Sequence, residues 1–300
     1  MIIAFGSINL DLVTRVAALP GAGETALGPS YAAHPGGKGA NQALAARRAG
    51  ARVALVGATG RDDFARQALA LLRADGVDLS GVAEVDAPTG AAFIGVDAKG
   101  ENQIIVASGA NAHAKASQLH AVAMTSADTL LLQREVPEAE CLAAALHAKA
   151  CGARVILNLA PAGAPDPDLL DAVDMLVVNE HEARTLGAAL RLDTGDVHAI
   201  ALALSHTRGL AVIVTLGAKG AVGCHGGIFH RAPAPALAAI DTTGAGDTFV
   251  GALAAALDAG RPLIDAMAFA VTAGSLACTK AGAQPSIPTA AAIEAFRHGA

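Results

Sequence analysis

The 300-residue sequence contains no tryptophan, one tyrosine and seven phenylalanines, and only 16% of its residues are charged. Its formal net charge is −6. It therefore lacks both the basic surplus and the stacking aromatics that are typical of nucleic-acid-binding proteins, and we expect no nucleic-acid partner. Because 53% of the residues are hydrophobic, the chain can bury a large core.

Long hydrophobic runs are also missing. The longest uncharged stretch of the late helical region is Ala266–Thr279, at 14 residues, whereas a membrane-spanning helix needs about 20. No basic residue precedes Arg15, unlike in a secretory signal peptide. The four cysteines have no Cys-x-x-Cys spacing, so we expect reduced, mostly buried thiols. Together these absences predict a cytoplasmic protein that does not enter a membrane.

What is present is an alternation of short apolar runs with longer helical patterns. The predicted strands are Ile2–Gly6, Arg52–Gly57, Thr129–Gln133, Arg154–Asn158, Met175–Val178 and Leu210–Leu216. The predicted helices are Asn41–Gly50, Asp62–Asp75, Pro137–Gly152, Glu180–Ala189 and Gly195–Arg208, with Gly50, Gly76, Gly152 and Gly209 at C-terminal caps. Such short apolar runs are typical of parallel strands buried on both faces. The pattern predicts an α/β fold with a doubly wound, mostly parallel sheet flanked by helices.

Two stretches, at about residues 11–35 and 89–106, interrupt this alternation. The first is rich in proline and glycine. The second predicts a β-hairpin with a four-residue turn at Asp97–Gly100. They are either decoration of a sheet edge or a small β-lid over a site, and the adjoining glycine-rich motif favours the lid. We expect one α/β domain over residues 1–300 that carries this lid, not two consecutive domains.

The strongest motif is Asp241–Phe249, which precedes an apolar pattern of helical spacing. Gly244 and Gly246 would therefore lie at a helix N-terminus, where free backbone N–H groups and the helix dipole favour an anion. A carboxylate beside such an anion site suits a general base next to a transferred phosphoryl group, which is the role we expect for Asp247. The alternative is that Asp247 only complements the helix dipole.

A second glycine-rich motif, Gly36–Ala43, leads into a helix. Lys38, Asn41 and Gln42 supply directional hydrogen bonds of the kind that a polyhydroxylated small molecule needs. It is not a Walker A loop, because that motif requires other residues before and after its Gly-Lys pair. A plain glycine-rich turn is the alternative.

Polar residues follow the ends of several predicted strands. They are Asn9 and Asp11, Glu135, Asn179 and Glu182, and the segment Thr215–Gly220. In open α/β sheets, ligands bind beyond the carboxyl ends of the strands. If the strands are parallel, these groups converge on one edge of the sheet.

Together these motifs resemble the ribokinase-like (PfkB) family of sugar kinases over nearly the whole chain. The resemblance is carried by Gly6–Asp11, Pro20–Thr25, Gly36–Ala43, Gly109–Asn111, Asn158–Ala162, Asp241–Phe249 and Gly282–Pro288. The pattern Asp-Thr-x-x-Gly-x-Gly-Asp is specific to the family. The motifs Gly-Gly-Lys-Gly-Ala-Asn-Gln and Gly-Ala-Gln-Pro-Ser are specific to its ribokinase branch.

The resemblance implies a ribokinase-like fold and a role for each matching residue. Asp247 would be the base, and Gly244, Ala245 and Gly246 would form the anion hole. Sugar contacts would come from Asn9, Asp11, Gly37, Lys38, Gly39, Asn41 and Glu135, together with Asp247. Asn179 and Glu182 would help place Mg²⁺ and phosphates, while Thr215, Gly217, Lys219, Gly220 and Gly246 would line the path of ATP. A monovalent cation such as K⁺ would have its ligands at Asp241, Thr243, Ala277, Lys280, Gly282 and Ser286.

The expected function is ATP-dependent phosphorylation of the primary hydroxyl of a pentose, D-ribose above all, by an enzyme that dimerises through its lid. Two positions depart from the family's pattern. Arg134 stands where an apolar residue is usual, and Val271 stands where a ring-bearing side chain often lies near the adenine. Alternatives are a kinase for 2-deoxyribose, fructose or a nucleoside, and a non-catalytic sugar or nucleotide sensor. A nicotinamide-dependent oxidoreductase is disfavoured, because the dinucleotide fingerprint is absent.

Overall fold

The central strands of this chain are short and apolar on both faces, and they pair in the parallel manner that such a pattern requires. The computed structural model describes residues 1–193 and 195–299. In chain order its strands are β1 (Ile2–Phe5), β2 (Asn9–Arg15), β3 (Tyr31–Gly36), β4 (Val53–Thr59), β5 (Asp78–Glu84), β6 (Gly90–Val96), β7 (Asn102–Ala107), β8 (Thr129–Leu132), β9 (Arg154–Asn158), β10 (Met175–Asn179), β11 (Ala211–Thr215), β12 (Ala221–His225) and β13 (Ile228–Ala232).

The helices of the described residues connect these strands. They are α1 (Lys38–Arg48), α2 (Asp63–Ala68), α3 (Ala70–Ala74), α4 (Glu138–Ala150), α5 (Pro167–Asp171), α6 (Glu180–Ala189), α7 (Val197–Arg208), α8 (Ala245–Asp258), α9 (Leu263–Ala277), α10 (Ala283–Ser286) and α11 (Ala290–His298). Short 3₁₀ turns cover Gly109–His113, Ala116–Ala121 and Gly217–Lys219. None of the helices in the described part has both the length and the hydropathy that crossing a bilayer requires.

The main sheet has the strand order β13-β12-β11-β10-β9-β8-β1-β4-β5. Strands β8 to β11, β1, β4 and β5 are parallel, and β12 and β13 add an antiparallel edge. The chain starts in the middle of the sheet at β1, moves out to β5, returns to β8 and then proceeds to the opposite edge. The predicted doubly wound α/β fold is therefore confirmed, and its switch point lies between β1 and β8.

Each face of the main sheet has its own apolar core. Along β1, Ile2 and Ala4 pack on the face covered by α1, α8 and α9, whereas Ile3 and Phe5 pack on the face covered by α4, α6 and α7. This alternation follows from the two-residue period of a strand. Because both faces are covered, a ligand can reach the main sheet only at the ends of its strands.

All six predicted strands are present, but sequence reasoning missed β5, β12 and β13. These three lie at the two edges of the sheet, where exposed or glycine-containing segments such as Asp78–Glu84 lose the buried apolar pattern. The predicted helix Asp62–Asp75 is divided at Leu69 into α2 and α3. The four expected C-cap glycines all have positive φ angles, between 68° and 103°.

A second sheet, of order β3-β2-β6-β7, stands apart from the first. Residues 11–35 and 89–106 supply nearly all of it. The predicted hairpin is present as β6 and β7, although its connection has five residues, Asp97–Glu101, and not four. One face of this sheet, with Asp11 and Val13, looks across a cleft at the loop Asp241–Thr243. The other face carries exposed apolar side chains such as Tyr31 and Ile105.

Candidate active site

The centre of the candidate site is Asp247, in the first turn of α8. Gly244 caps this helix with a φ of 72°, a conformation that glycine adopts without strain. A Cβ atom at Gly244 would also lie only 2.9 Å from the Cβ of Ala283. The sequence Gly-Ala-Gly-Asp therefore begins α8 in a tight turn and places the Asp247 carboxylate at its N-terminal end.

This turn borders a cavity of about 160 Å³, which Gly244, Gly246 and Asp247 line. The first helical hydrogen bond runs from the Thr248 amide to the Gly244 carbonyl. The amides of the preceding turn thus have no acceptor within the helix. Of the three residues expected to form the anion hole, Ala245 already has an acceptor for its amide, because this amide donates to the Thr242 carbonyl at 3.2 Å. The amides left for an anion are those of its neighbours.

Two amide side chains of α1 hold the Asp247 carboxylate. Asn41 Nδ2 donates to Oδ2 at 2.9 Å, and Gln42 Nε2 donates to Oδ1 at 3.0 Å. Asp247 is only 8% exposed, and both amides are buried. A buried carboxylate needs such donors, since an unpaired charge in the interior is costly.

Close packing of α1 against α8 makes these contacts possible. At Gly251, a Cβ atom would lie 2.4 Å from the Gln42 carbonyl oxygen and 2.6 Å from the Cβ of Ala45. At Gly39, a Cβ atom would lie 2.5 Å from the Gly6 carbonyl carbon. The absence of side chains at these glycines brings α1 within reach of both β1 and α8.

Gly37 and Glu135 position the start of α1. Gly37 caps the helix with a φ of 88°, and a Cβ atom there would lie 2.7 Å from the Asn9 amide. Glu135 Oε2 accepts hydrogen bonds from Ser7 Oγ at 2.5 Å and from the Lys38 amide at 3.1 Å. These bonds tie the ends of β1 and β8 to the glycine-rich turn.

Lys38 lies among four carboxylates. Burial disfavours its ammonium group, but Asp247, Glu135, Glu182 and Asp11 together outweigh burial and raise the pKa of Lys38. The lysine therefore stays charged and offers one positive centre within a largely acidic site.

The same surroundings favour the charged form of Lys38 but the neutral form of Asp11. Burial first, and then the charges of Glu135 and Asp247, raise its pKa to about 7, although Lys38 lowers it. The carboxylate packs against Gly36, where an added Cβ would lie 2.2 Å from Asp11 Oδ2. Asp11 is thus a half-buried carboxyl that titrates near neutral pH.

Asn9 and Asn111 form a buried pair beside this site. Asn111 Nδ2 donates to Asn9 Oδ1 at 2.7 Å, and the Ile8 amide donates to Asn111 Oδ1 at 2.8 Å. The pair links β2 to the 3₁₀ turn Gly109–His113. Asn9 therefore lies beside the cleft with its side-chain oxygen already bonded.

The end of β10 and the start of α6 also border the cavity of about 160 Å³, which is called the inner cavity below. Asn179 caps α6, with its Oδ1 accepting from the Glu182 amide at 2.8 Å, and Glu182 Oε2 accepts from the Asn179 amide at 2.8 Å. Both residues line the cavity together with Thr215 and Lys38. Burial, above all, raises the pKa of Glu182, while the Asn179 amide and Lys38 act against this shift.

A second cavity, of about 260 Å³, adjoins the first and shares Thr215 and Gly246 with it. Its walls are mostly apolar and include Leu237, Phe249 and Val271. Gly217 and Gly220 also line it, but Lys219 is exposed and is not among the lining residues. An inner polar cavity thus opens into an outer apolar one.

The loop Asp241–Thr243 lies across the cleft from the second sheet. Its acidic residue, Asp241, accepts three hydrogen bonds. Thr243 donates to Asp241 Oδ1 through its amide and its hydroxyl, at 2.9 and 2.6 Å, and the Gly282 amide donates to Oδ2 at 2.8 Å. Burial acts against these bonds, but they outweigh it and lower the pKa of Asp241. The segment Asp241–Thr243 is thereby joined to residues 277–286.

The other expected cation ligands are divided between buried and exposed positions. Ala277 and Ser286 are buried, whereas Lys280 is exposed. The Lys280 amide donates to the Ala277 carbonyl at 3.3 Å, and Ser286 Oγ donates to the Ala283 carbonyl at 2.8 Å. Across residues 1–193 and 195–299, three or more His, Cys, Asp or Glu side chains do not gather into a metal cluster.

Arg134 and Val271, the two residues that depart from the family's pattern, lie in different surroundings. The guanidinium group of Arg134 binds the Pro161 carbonyl at 3.1 Å and the Glu138 carboxylate at 3.5 Å, so it holds the neighbouring loop and does not line either cavity. Val271 does line the outer cavity. It adds to an apolar wall there and leaves room where a ring would stand.

Sequence reasoning missed part of the network around Asp247. Gln133 Nε2 donates to Gln42 Oε1 at 2.8 Å, and Gln42 Nε2 also donates to Asn158 Oδ1 at 3.0 Å. Gln42 was expected to meet a ligand but bonds Asp247 instead. The available signal was an amide at the end of each of two buried strands, since Gln133 follows β8 and Asn158 ends β9.

Matches with known proteins cover nearly the whole chain. The model of the pfkB family of carbohydrate kinases matches residues 1–290. The chain is 38% identical over 290 residues to the ribokinase of Haemophilus influenzae, a match that covers 95% of this chain and 94% of that protein.

Solved structures resemble the chain over nearly its full length. The Thermotoga maritima ribokinase superposes with a TM-score of 0.90 at 34% identity, covering 99% of each chain. The Arabidopsis thaliana ribokinase, solved in complex with ribose and ATP, superposes with a TM-score of 0.87 at 32% identity, covering 98% of this chain and 97% of that one.

Proposed function

The chain belongs to the pfkB family of carbohydrate kinases, and we propose that it transfers the γ-phosphoryl group of ATP to the primary hydroxyl of a pentose, D-ribose above all, to give D-ribose 5-phosphate. One observation carries the proposal. The buried carboxylate of Asp247 lies beside free first-turn amides of α8, which is the pairing of a base with an anion site that phosphoryl transfer requires.

The acceptor sugar would lie between the two sheets. Asp11, Lys38 and Glu135 bring charged groups to this cleft, and Gly37 and Gly39 let the start of α1 lie against the residues that join β1 to β2. Asn41 Oδ1 is buried without a hydrogen-bond partner among the described residues. A buried acceptor of this kind is satisfied by a hydroxyl group, which a sugar supplies.

In the proposed reaction, Asp247 takes the proton of the sugar hydroxyl while its oxygen attacks the γ-phosphorus and the β–γ bridge bond breaks, leaving ADP. Gly244 and Gly246 would stabilise the charge on the transferred group through backbone amides. Lys38 would add a positive charge from the sugar side. Most of the rate enhancement would come from positioning and charge neutralisation.

The nucleotide would extend from the inner into the outer cavity. The mostly apolar walls of the outer cavity, Val271 included, suit the faces of an adenine ring. Thr215, Gly217 and Gly220 would border the phosphates and ribose. Lys219 is exposed, and it would meet the nucleotide only at its solvent side.

Two metal ions belong to the proposal. Mg²⁺ keeps several of its waters and uses few protein ligands, which fits Asn179 and Glu182 as groups that hold its hydration shell and the phosphates. A monovalent cation such as K⁺ would be held by oxygen atoms near Asp241, Thr243 and Gly282, with Ala277, Lys280 and Ser286. One carboxylate among neutral oxygens fits such an ion. The bound ion would supply positive charge near the anion site.

The second sheet would act as a lid and as the contact between two copies of the chain. Its cleft-facing side carries Asp11, and its outer side carries Tyr31, Phe93 and Ile105, which are 71%, 48% and 71% exposed. Contiguous exposed apolar side chains of this kind mark interaction surfaces. A twofold-symmetric dimer would cover them.

A substrate panel tests the proposed function. The purified protein is incubated with ATP, Mg²⁺ and K⁺ and with pentoses, hexoses and nucleosides in turn, and product position is read by NMR. We expect D-ribose to give the highest kcat/KM and phosphate on its primary hydroxyl. A preference for 2-deoxyribose or a nucleoside would revise the substrate. ATP binding without turnover of any acceptor would favour a sensor and overturn the kinase proposal.

A further inference from the structure

Gln42 has all the hydrogen-bonding capacity of its amide engaged in the interior. Its side chain is fully buried, and Nε2 donates to Asn158 Oδ1 and to Asp247 Oδ1, both at 3.0 Å. Its Oε1 accepts from Gln133 Nε2 at 2.8 Å. Asn158 is itself anchored, because its Nδ2 donates to the Val177 carbonyl at 3.1 Å. The four residues form one continuous chain of hydrogen bonds that ends on Asp247.

This series of hydrogen bonds fixes which way the Gln42 amide faces. If the amide were reversed, its oxygen would face the oxygens of Asp247 and Asn158, and its NH₂ group would face the NH₂ group of Gln133. Each of these contacts would leave a buried polar atom without a partner, which costs about 1–3 kcal/mol. Asn158, whose own amide is anchored on the Val177 carbonyl, therefore holds Gln42 with its donors toward Asp247, and Gln133 Nε2 satisfies the Gln42 amide oxygen.

The space for Gln133 is created by a glycine in the neighbouring strand end. A Cβ atom at Gly6 would lie 1.9 Å from Gln133 Oε1. The amide of Gln133 thus occupies the volume that any other residue at position 6 would fill. The network depends on the packing of β1, β8 and α1 around the switch point of the sheet.

We propose that Gln42 is a positioning residue for Asp247, locked by Gln133 and Asn158, and that it sets the direction in which the carboxylate meets the sugar hydroxyl. This inference rests on the proposed function, in which Asp247 is the base. A carboxylate can rotate about its terminal torsion, and two neutral amide donors, Gln42 on Oδ1 and Asn41 on Oδ2, prevent this rotation. They do so without supplying a proton that would neutralise the base.

The first variant is Gln42→Met, which keeps the volume of the side chain and removes both donors. We expect kcat to fall about 10- to 100-fold, because a misoriented base reacts poorly. We expect the sugar KM to change less than about threefold, since Gln42 bonds to Asp247 and not to the sugar. A role in sugar binding would instead raise KM, and full activity would overturn the proposal.

The lock is tested separately with Gln133→Met, which can still be measured if Gln42→Met does not fold, and an unchanged kcat in that variant would overturn the lock. Gln133→Met removes only the bond that orients the Gln42 amide, and we expect a smaller loss in kcat. The double variant should lose less than the product of the two single losses, because both act on one carboxylate. Fully multiplicative losses would mean that Gln133 does not act through Gln42, and would overturn the proposal that Gln133 locks Gln42.

Gln118→Met is the matched control. Gln118 Nε2 donates to the Gly57 and Gly81 carbonyls at 2.6 and 3.0 Å, away from the site, so this variant loses amide hydrogen bonds without touching Asp247. We expect its stability to fall and its kcat to stay unchanged. If the wild-type protein phosphorylates no acceptor, or an Asp247 variant stays active, the proposed function fails, whereas an active wild type with an unaffected Gln42→Met variant contradicts this inference alone.

Discussion

Asn41 Nδ2 lies 2.9 Å from Oδ2 of Asp247, although 206 positions separate the two residues in the chain. The contact joins the first turn of α1 to the first turn of α8, and each of these helices follows a glycine-rich turn. Each turn alone could be a structural feature, but together they surround one carboxylate with amide donors and free backbone N–H groups.

Replacing Asp247 should abolish most of the turnover. Asp247→Ala removes the proposed base, and we expect kcat to fall about 10²- to 10⁴-fold, the usual scale for loss of a general base. Circular dichroism should show a folded protein, and nucleotide binding by calorimetry should remain, since the proposed role of Asp247 is toward the sugar hydroxyl. Near-normal turnover in this variant would show that Asp247 is not the base.

The unfolding free energy should depend on pH through Asp11. Its pKa rises from an ordinary value of 3.8 to about 7 on folding, mainly because of burial. Between these values the native state binds a proton that the unfolded chain has released, so this contribution to stability falls as pH rises from about 4 to 7. Asp11→Asn removes the titration.

We therefore expect the Asp11→Asn variant to exceed the wild type in unfolding free energy by about 1–3 kcal/mol at pH 8 and by much less at pH 4. Urea denaturation at both pH values measures the difference. A gap between variant and wild type that is the same at pH 4 and pH 8 would mean that burial does not raise the pKa of this carboxyl.

A single methyl group at Gly251 should disturb both stability and activity. Its Cβ would meet the Gln42 carbonyl oxygen at 2.4 Å and would force α1 away from α8. We expect Gly251→Ala to lower the unfolding free energy by about 1–3 kcal/mol, as overpacking does, and to lower kcat because the donors of Asp247 move. Chemical denaturation and steady-state kinetics check the two effects. An unchanged denaturation midpoint would contradict the close packing described.

Potassium should accelerate the reaction if the loop beginning at Asp241 holds a cation. We expect the rate to fall several-fold when K⁺ is replaced by a bulky organic cation at equal ionic strength. Asp241→Asn should remove most of the dependence on K⁺, because it removes the only carboxylate of the proposed ligand set. Equal rates in K⁺ and in the organic cation would rule out the proposed ion.

The outer face of the second sheet should determine the oligomeric state. Ile105→Lys places a charge on the apolar patch, and we expect it to convert a dimer into a monomer in light scattering coupled to size exclusion. Ile228→Lys is the matched control, since Ile228 is similarly exposed, at 64%, but lies on β13 at the edge of the main sheet. A wild-type protein that is monomeric at micromolar concentration would disprove the dimer.

The sequence alone determined the class of fold and the placement of the two glycine-rich turns at helix N-termini. Short apolar runs predict buried parallel strands because both faces of such a sheet are covered. Glycines followed by Asp247 predict a helix N-terminus beside a carboxylate, because only local backbone geometry is involved. Edge strands such as β5 were missed, since a half-exposed strand lacks that pattern.

Only the tertiary structure decided which groups meet Asp247. Asn41 and Gln42 have donors that suit either a sugar or a carboxylate, and the choice depends on how closely α1 packs against α8 at Gly251. The placement of Gln133 depends on the space left at Gly6, in another strand. Such contacts join residues that are far apart in the chain, and their distances follow from packing, which local sequence patterns do not encode.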